Sequence, residues 1–339
     1  MDPSRRAAAR TRAVLAVMAA AIGLASCGKP AAHHAAEPAT APPPAVAPAG
    51  TVRTVGAMAE GAVFDATTGL VAVAVRNPDR LLLIDGRTLT VRHSVPLPGH
   101  ARHLQLFAPG GPVLVPAEDA GRLVEVSLPD GRVTASVPVG KQPHDAAPAA
   151  GGRIAVGNEF SGTVSIVAGG QVQRTITGLV QPGGVVDAGV IDGRPIEAVV
   201  DVHTYTVSTY DPSTGKRLAR KSAGAGPTHG QLAGPNRLAV ADTRGDAVLT
   251  FSVSPLRQTG RLALAGAPYG MATDARTHTV WVTLTGRNEV VGLDVSTATP
   301  RVIARYPTVA QPDTVAVAPG SRTVWVVGAR NGQVQRISR

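Results

Sequence analysis

The residues best equipped for chemistry are histidines, and their spacing is regular. Of the nine histidines in 339 residues, His103, His144, His203 and His229 fall at two recurring places in a repeat of 40–44 residues. At the first place, one residue per repeat reads Glu60, His103, His144, Gly183, Thr228, Tyr269 and Asp313, with Asp145 and His229 one position later. The second place supplies Glu118, Glu159, Asp201, His203 and Asp242. Imidazoles and carboxylates together suit zinc or another first-row divalent ion when three or four donors lie about 2.0–2.2 Å from one point. Such an ion orients an anionic ligand or acts as a Lewis acid, and it requires neutral imidazoles. The candidate metal ligands are therefore His103, His144, His203 and His229, for zinc or calcium. The candidate ligand-binding residues are Glu60, His103, His144, Asp145, His229, Tyr269 and Asp313. The competing expectation is a polar lining satisfied by water and by neighbouring repeats.

These residues converge only if the repeat curls into a ring. A short apolar strand recurs as Leu70–Val73, Val113–Val115, Ile154–Val156, Ala198–Val200, Leu238–Val240, Val280–Val282 and Val324–Val326. Its closing valines stand 42, 41, 44, 40, 42 and 44 residues apart. Four short strands with their turns need about that length, which is one blade of a β-propeller. A second apolar run follows in each unit, then a turn such as Asp85-Gly86 or Asp130-Gly131, and a Pro opens the next unit at 143, 182, 227, 268 and 312. The fold expected is all-β, a seven-bladed propeller over residues 51–339. The last unit stops after three strands, so a strand at about 51–55 is expected to complete it and remove an open edge. In this geometry the loop before the innermost strand and the loop between strands two and three open on one face.

Composition and absent motifs exclude other chemistries. One cysteine rules out an internal disulfide framework, a Cys-based zinc cluster and an iron–sulfur centre. Aromatic residues make up 3% of the chain, too few for a base-stacking platform, so nucleic acid is not an expected partner. No Gly-x-Ser-x-Gly elbow occurs, and Gly110-Gly111 and Gly183-Gly184 open no helix that would cradle phosphate.

The first fifty residues have a separate character. Arg5, Arg6, Arg10 and Arg12 precede an uncharged run, Ala13 to Ser26. Fourteen helical residues reach about 21 Å, short of the ~30 Å hydrocarbon core, so the run fits a secretory signal core handled by Sec export. Without residues 1–26 the chain keeps 29 basic and 22 acidic groups, a net of +7 with no basic cluster. Residues 28–50 hold nine Ala and six Pro, which predicts an extended spacer over 27–50.

Leu24-Ala25-Ser26-Cys27 resembles the lipobox of bacterial lipoproteins. That resemblance implies cleavage before Cys27, lipidation of its thiol, and anchoring at the extracytoplasmic face of the cell membrane. The repeat resembles the YVTN, or YncE-like, seven-bladed propellers, carried by Val280-Trp281-Val282, Val324-Trp325-Val326 and Asp211-Pro212-Ser213-Thr214-Gly215. Propellers of this kind serve as binders, scaffolds and enzymes. Streptogramin-type lyases and gluconolactonase-like propellers place His and Glu on this face with a divalent cation. By that resemblance His229, Glu118 and Glu159 would be catalytic. The function expected first is a monomeric, lipid-anchored module binding a small ligand, a metal ion or an envelope protein at its channel face. A cation-dependent lyase or lactonase is the alternative, and a purely structural envelope scaffold the third.

Overall fold

The computed structural model describes residues 34–321 and 323–338. Seven four-stranded antiparallel sheets follow one another along the chain, each a blade of a propeller. Blade 1 spans strands Met58–Asp65 to Val91–Pro96, and blade 2 spans Gln105–Leu106 to Val133–Pro138. Blades 3, 4, 5 and 6 begin at Pro143–Ala149, Pro182–Ile191, Pro227–Gly234 and Pro268–Asp274. Blade 7 begins at Pro312–Val317 and is completed by the N-terminal strand Thr51–Thr54. That strand pairs antiparallel with Gln333–Ile337 in the register Thr51↔Arg336 to Thr54↔Gln333, closing the ring as expected.

Burial is deepest in the middle strands of each blade and lowest at the rim, and strand composition follows it. Second strands are apolar almost throughout because neighbouring sheets cover both faces: every residue of Val113–Ala117 and Thr279–Leu284 is buried. Fourth strands lie at the rim and are polar, as in Arg217–Ser222, whose charged side chains discourage pairing with another sheet edge. Adjacent blades bury one another's faces; Phe64 of blade 1 stacks on Trp325 of blade 7 with ring centroids 4.3 Å apart.

The innermost strands carry the feature that positions the site. Nearly all have a register shift at the start, between Ala59 and Ala62, Pro143 and Asp145, Pro182 and Gly184, Pro227 and Gly230, Pro268 and Met271, and Pro312 and Thr314. A bulge leaves residues unpaired and re-aims their side chains. The residues so released are Glu60, His144, Gly183, Thr228 with His229, Tyr269 and Asp313, which are the positions the repeat singled out. Blade 2 instead shortens its first strand to two residues, leaving His103 in the preceding loop. Crowding is severe here: a Cβ on Gly270 would stand 2.4 Å from the carbonyl oxygen of Asp313 in the next blade.

Residues 34–50 form no strand or helix, yet they do not run free. They lie against the propeller as a strap. Tyr205 Oη and Arg244 Nη2 donate to the His34 carbonyl at 2.7 and 3.0 Å. Glu37 pairs with Arg102 at 3.7 Å. Gln311 holds both the Ala39 carbonyl and the Ala41 amide at 2.9 Å, Asn288 donates to the Pro42 carbonyl and Arg330 to that of Ala41. An Ala/Pro segment offers carbonyls but few side-chain contacts, and the propeller supplies the donors. Residues 27–33, Cys27 and the expected signal segment 1–26 lie outside the described residues.

A candidate metal centre at the channel mouth

His103, His144 and His229 meet where the channel narrows, each offering one ring nitrogen, and these atoms all lie within 4.8 Å of one another. The ring centroids of His103 stand 4.6 Å from His144 and 4.3 Å from His229. His229 reaches across from blade 5, and its Nε2 lies 2.9 Å from Nε2 of His103. An ion about 2.1 Å from each nitrogen needs nitrogens roughly 3.4 Å apart, a separation these spacings bracket.

The second nitrogen of two rings is already engaged. His144 Nδ1 lies 2.9 Å from Oε1 of Glu118, and His229 Nδ1 donates to the Tyr269 carbonyl at 3.2 Å. Both contacts direct Nε2 toward the centre, the arrangement that carboxylate and carbonyl partners impose on metal-binding histidines. In the His103–His229 contact one Nε2 must carry the hydrogen, and the partners of His229 assign it to His103.

Glu118 organises the surroundings. Its side chain is fully buried and its oxygens engage His100 at 2.7 Å, His144, Gln142 and, at 3.7 Å, Arg102. Burial alone would raise its pKa, but these partners hold it well below the usual carboxylate range. His100 is turned the other way by Asp119 at 2.5 Å, and its pKa is raised by Glu118 against the effect of burial. The trio divides electrostatically. Burial works against the charge of His144, yet Glu159 and Glu118 outweigh it and raise its pKa to about 9. Burial, followed by the charge on His144, lowers His229 to about 3, and His103 is pushed well below its ordinary value by burial beside His229 and His144. Without an ion, His103 and His229 therefore favour the neutral form and His144 the protonated one, and an ion at Nε2 of His144 displaces its proton.

The remaining candidates have other roles. His203 sits half-buried in the turn after Arg194–Asp201 and is outside the group of three; its neighbour Val202 lines the mouth instead. Asp201 accepts from the amides of Val180, Gln181 and Thr204, and Asp242 from those of Ala225, Gly226 and Gly245, so both build loops. Glu60 pairs with Arg76 at 2.6 Å. Asp145 joins three blades, accepting from Gln105 at 3.0 Å and from the Val185 amide at 3.1 Å. Asp313 hydrogen-bonds Gln311, and burial raises its pKa to about 7. Tyr269 packs edge-on against His229 at 4.4 Å. Glu159 lines the mouth, 3.9 Å from His144 Nδ1. Thr228 is tied to Thr243, and a Cβ at Gly183 would meet Glu159 Oε1 at 2.8 Å.

The repeat pattern did not single out His100, Arg102 or Gln142. The cluster His100-x-Arg102-His103 in one loop was the available signal for the first two. Three nitrogen donors suit zinc or a neighbouring first-row ion and not calcium, which takes oxygen ligands.

Solved structures share this architecture. The chain is similar to the hydrazine synthase of Kuenenia stuttgartiensis, at 16% identity and a TM-score of 0.70 over 85% of this chain and 97% of that one. It is also similar to virginiamycin B lyase from Staphylococcus aureus, at 13% identity and 0.70 over 85% and 99%. A streptogramin B lyase gives 12% identity and 0.70 over 84% and 96%. These identities establish a shared fold and nothing about activity. No family model matches the chain, and no curated protein matches its sequence.

Proposed function

We propose that this is a lipid-anchored, extracytoplasmic β-propeller that binds a first-row divalent ion, zinc foremost, through Nε2 of His103, His144 and His229. The observation that carries this reading is the convergence of three ring nitrogens from three blades, two of them directed inward by contacts at Nδ1. Three protein ligands leave a fourth position for an anionic ligand, which suits a binding module. The export and lipidation half rests on the lipobox-like Leu24-Ala25-Ser26-Cys27 and is tested separately: Cys27→Ser should move the protein from the membrane to the soluble fraction.

The metal half is tested by elemental analysis of protein purified without an affinity tag, beside His103→Ala and His144→Ala. Near-stoichiometric metal in the parent and none in the variants is expected. Absence of metal from the parent, with no thermal shift on adding zinc, overturns it.

A second reading, a lyase or lactonase, draws on the activities named for the virginiamycin B and streptogramin B lyases. Within it Glu118 would position and not transfer protons, because its oxygens are enclosed by His100, His144 and Gln142. Glu159, at the mouth, is the remaining carboxylate near His144. Metal-dependent opening of lactone or cyclic ester substrates, lost in Glu159→Gln, would favour it.

A further inference from the structure

The histidine centre has two approaches, and they differ. On the loop side, Ala35, Ala36 and Glu37 of the strap lie over His144 and His229, and the space left beneath them is about 20 Å³. On the other side, His103 and His229 form the end of a neck of about 40 Å³ that Gln105, Gln231 and Asp145 also line. The neck runs into a vestibule of about 220 Å³ toward the hairpin end of the innermost strands. The two spaces share Ala62, Leu104, Gln105, Gln231, Met271 and Val315. Phe64, Leu106 and Val317 give the vestibule apolar side chains beside the polar Gln105, Gln231 and Thr273, and exposed Pro319 stands at its edge. Titratable side chains therefore stand only at the inner end of the path, Asp145 with the imidazoles, while apolar side chains outnumber polar ones in the vestibule.

We propose that the channel takes a small amphiphilic anion from the hairpin end, its carboxylate on the ion held by His103, His144 and His229 and its apolar tail in the vestibule. This rests on the metal reading of the trio. The ion makes the end of the path cationic, while the vestibule offers no charge of its own among its lining residues. Neck and vestibule together are smaller than the ~300–1,000 Å³ that holds a drug-sized ligand, so the ligand is short. Each methylene moved from water into the vestibule tightens binding about fourfold. A fatty carboxylate should therefore exceed acetate by a wide margin.

The test uses cobalt-loaded protein, whose visible absorption reports the fourth ligand, titrated with octanoate and with acetate. Octanoate should bind at least a hundredfold more tightly. Gln231→Trp, which fills the neck, and Leu106→Glu, which puts a carboxylate in the vestibule, should each erase that advantage while cobalt still binds. Equal affinities for octanoate and acetate, or octanoate binding undiminished in Gln231→Trp, overturns the proposal. Failure of the parent to bind cobalt overturns the metal reading and, with it, the anchor for the anion. The route is then judged on metal-free protein by the rate at which diethyl pyrocarbonate modifies His103 and His229. Entry from the hairpin end predicts at least fivefold slowing in Gln231→Trp and no change when Arg244→Ala loosens the strap. The reverse pattern places entry at the loop side.

Discussion

At the loop end of the channel, each bulged strand presents a side chain released from pairing, and those side chains include His144, His229, Glu60, Tyr269 and Asp313. Two to four residues further along the same strands, at the hairpin end, the residues are Ala62, Met271, Val315 and Val317. The loop end is enclosed by a strap and crowded with titratable groups. The hairpin end carries none among the residues that line it. One irregularity, repeated around the ring, separates an end rich in titratable side chains from an end without them. Regular pairing resumes after the bulge, and with it the alternation that selects Ala, Val and Met.

Variants that strip the loop end of its charge balance should break this contrast most severely. Glu118→Gln leaves His100 and the His144 imidazolium beside a neutral amide in a buried place, and should cost about 4 kcal/mol of unfolding free energy in urea titrations. An equal loss from an apolar substitution at the hairpin end would mean that the two ends are held by similar forces. Asp313 gives the contrast a pH dependence. Its pKa is about 7 in the folded chain against an ordinary 3.8, so the folded state retains a proton that the unfolded state releases. Its stabilising contribution is complete below about pH 4 and fades as pH rises to 7. Asp313→Asn should flatten that part of the stability curve, as read by denaturant midpoints at successive pH values.

The strap should respond more modestly. Gln311→Ala removes the side chain that holds the Ala39 carbonyl and the Ala41 amide, worth about 1–2 kcal/mol locally, and amide exchange at Ala41 should accelerate about tenfold or more. Smallest of all, Leu106→Ala at the half-buried vestibule wall should cost about 1 kcal/mol or less in urea titrations, with zinc affinity unchanged in calorimetry. A fall in zinc affinity there would show the two ends to be coupled.

Much of the fold was legible because its signals are local and repeated. The spacing of Val73, Val115 and Val156 requires only a blade of constant length, and the Pro at 143, 182, 227, 268 and 312 marks five of the six bulges, whose next residues face the channel. That placed His144 and His229 correctly. What stayed hidden depended on single-residue registers and distant partners. His203 and Val202 are adjacent in one turn, and turn geometry, which aims Val202 at the mouth, has no hydrophobic period to betray it. Asp201 and Asp242 carry the right chemistry but spend it on loop amides. The strap looked like a spacer because Ala-Pro composition is silent about Gln311, Asn288, Arg244 and Arg330, which lie more than two hundred residues away and create its binding surface.

The pairing of Thr51–Thr54 with Gln333–Ile337 also sets an order of assembly. Partners Thr51 and Arg336 stand at opposite ends of the propeller sequence, so this closure is the most non-local contact of the ring and carries a high entropic cost of search. The strap leads directly into the closing strand and takes donors from Gln335 and Arg330 of the same last blade. Its earlier residues, over the mouth, are held instead by Tyr205, Arg244 and Arg102. The segment that covers the histidines of blades 3 and 5 is thus continuous with the strand that closes the ring.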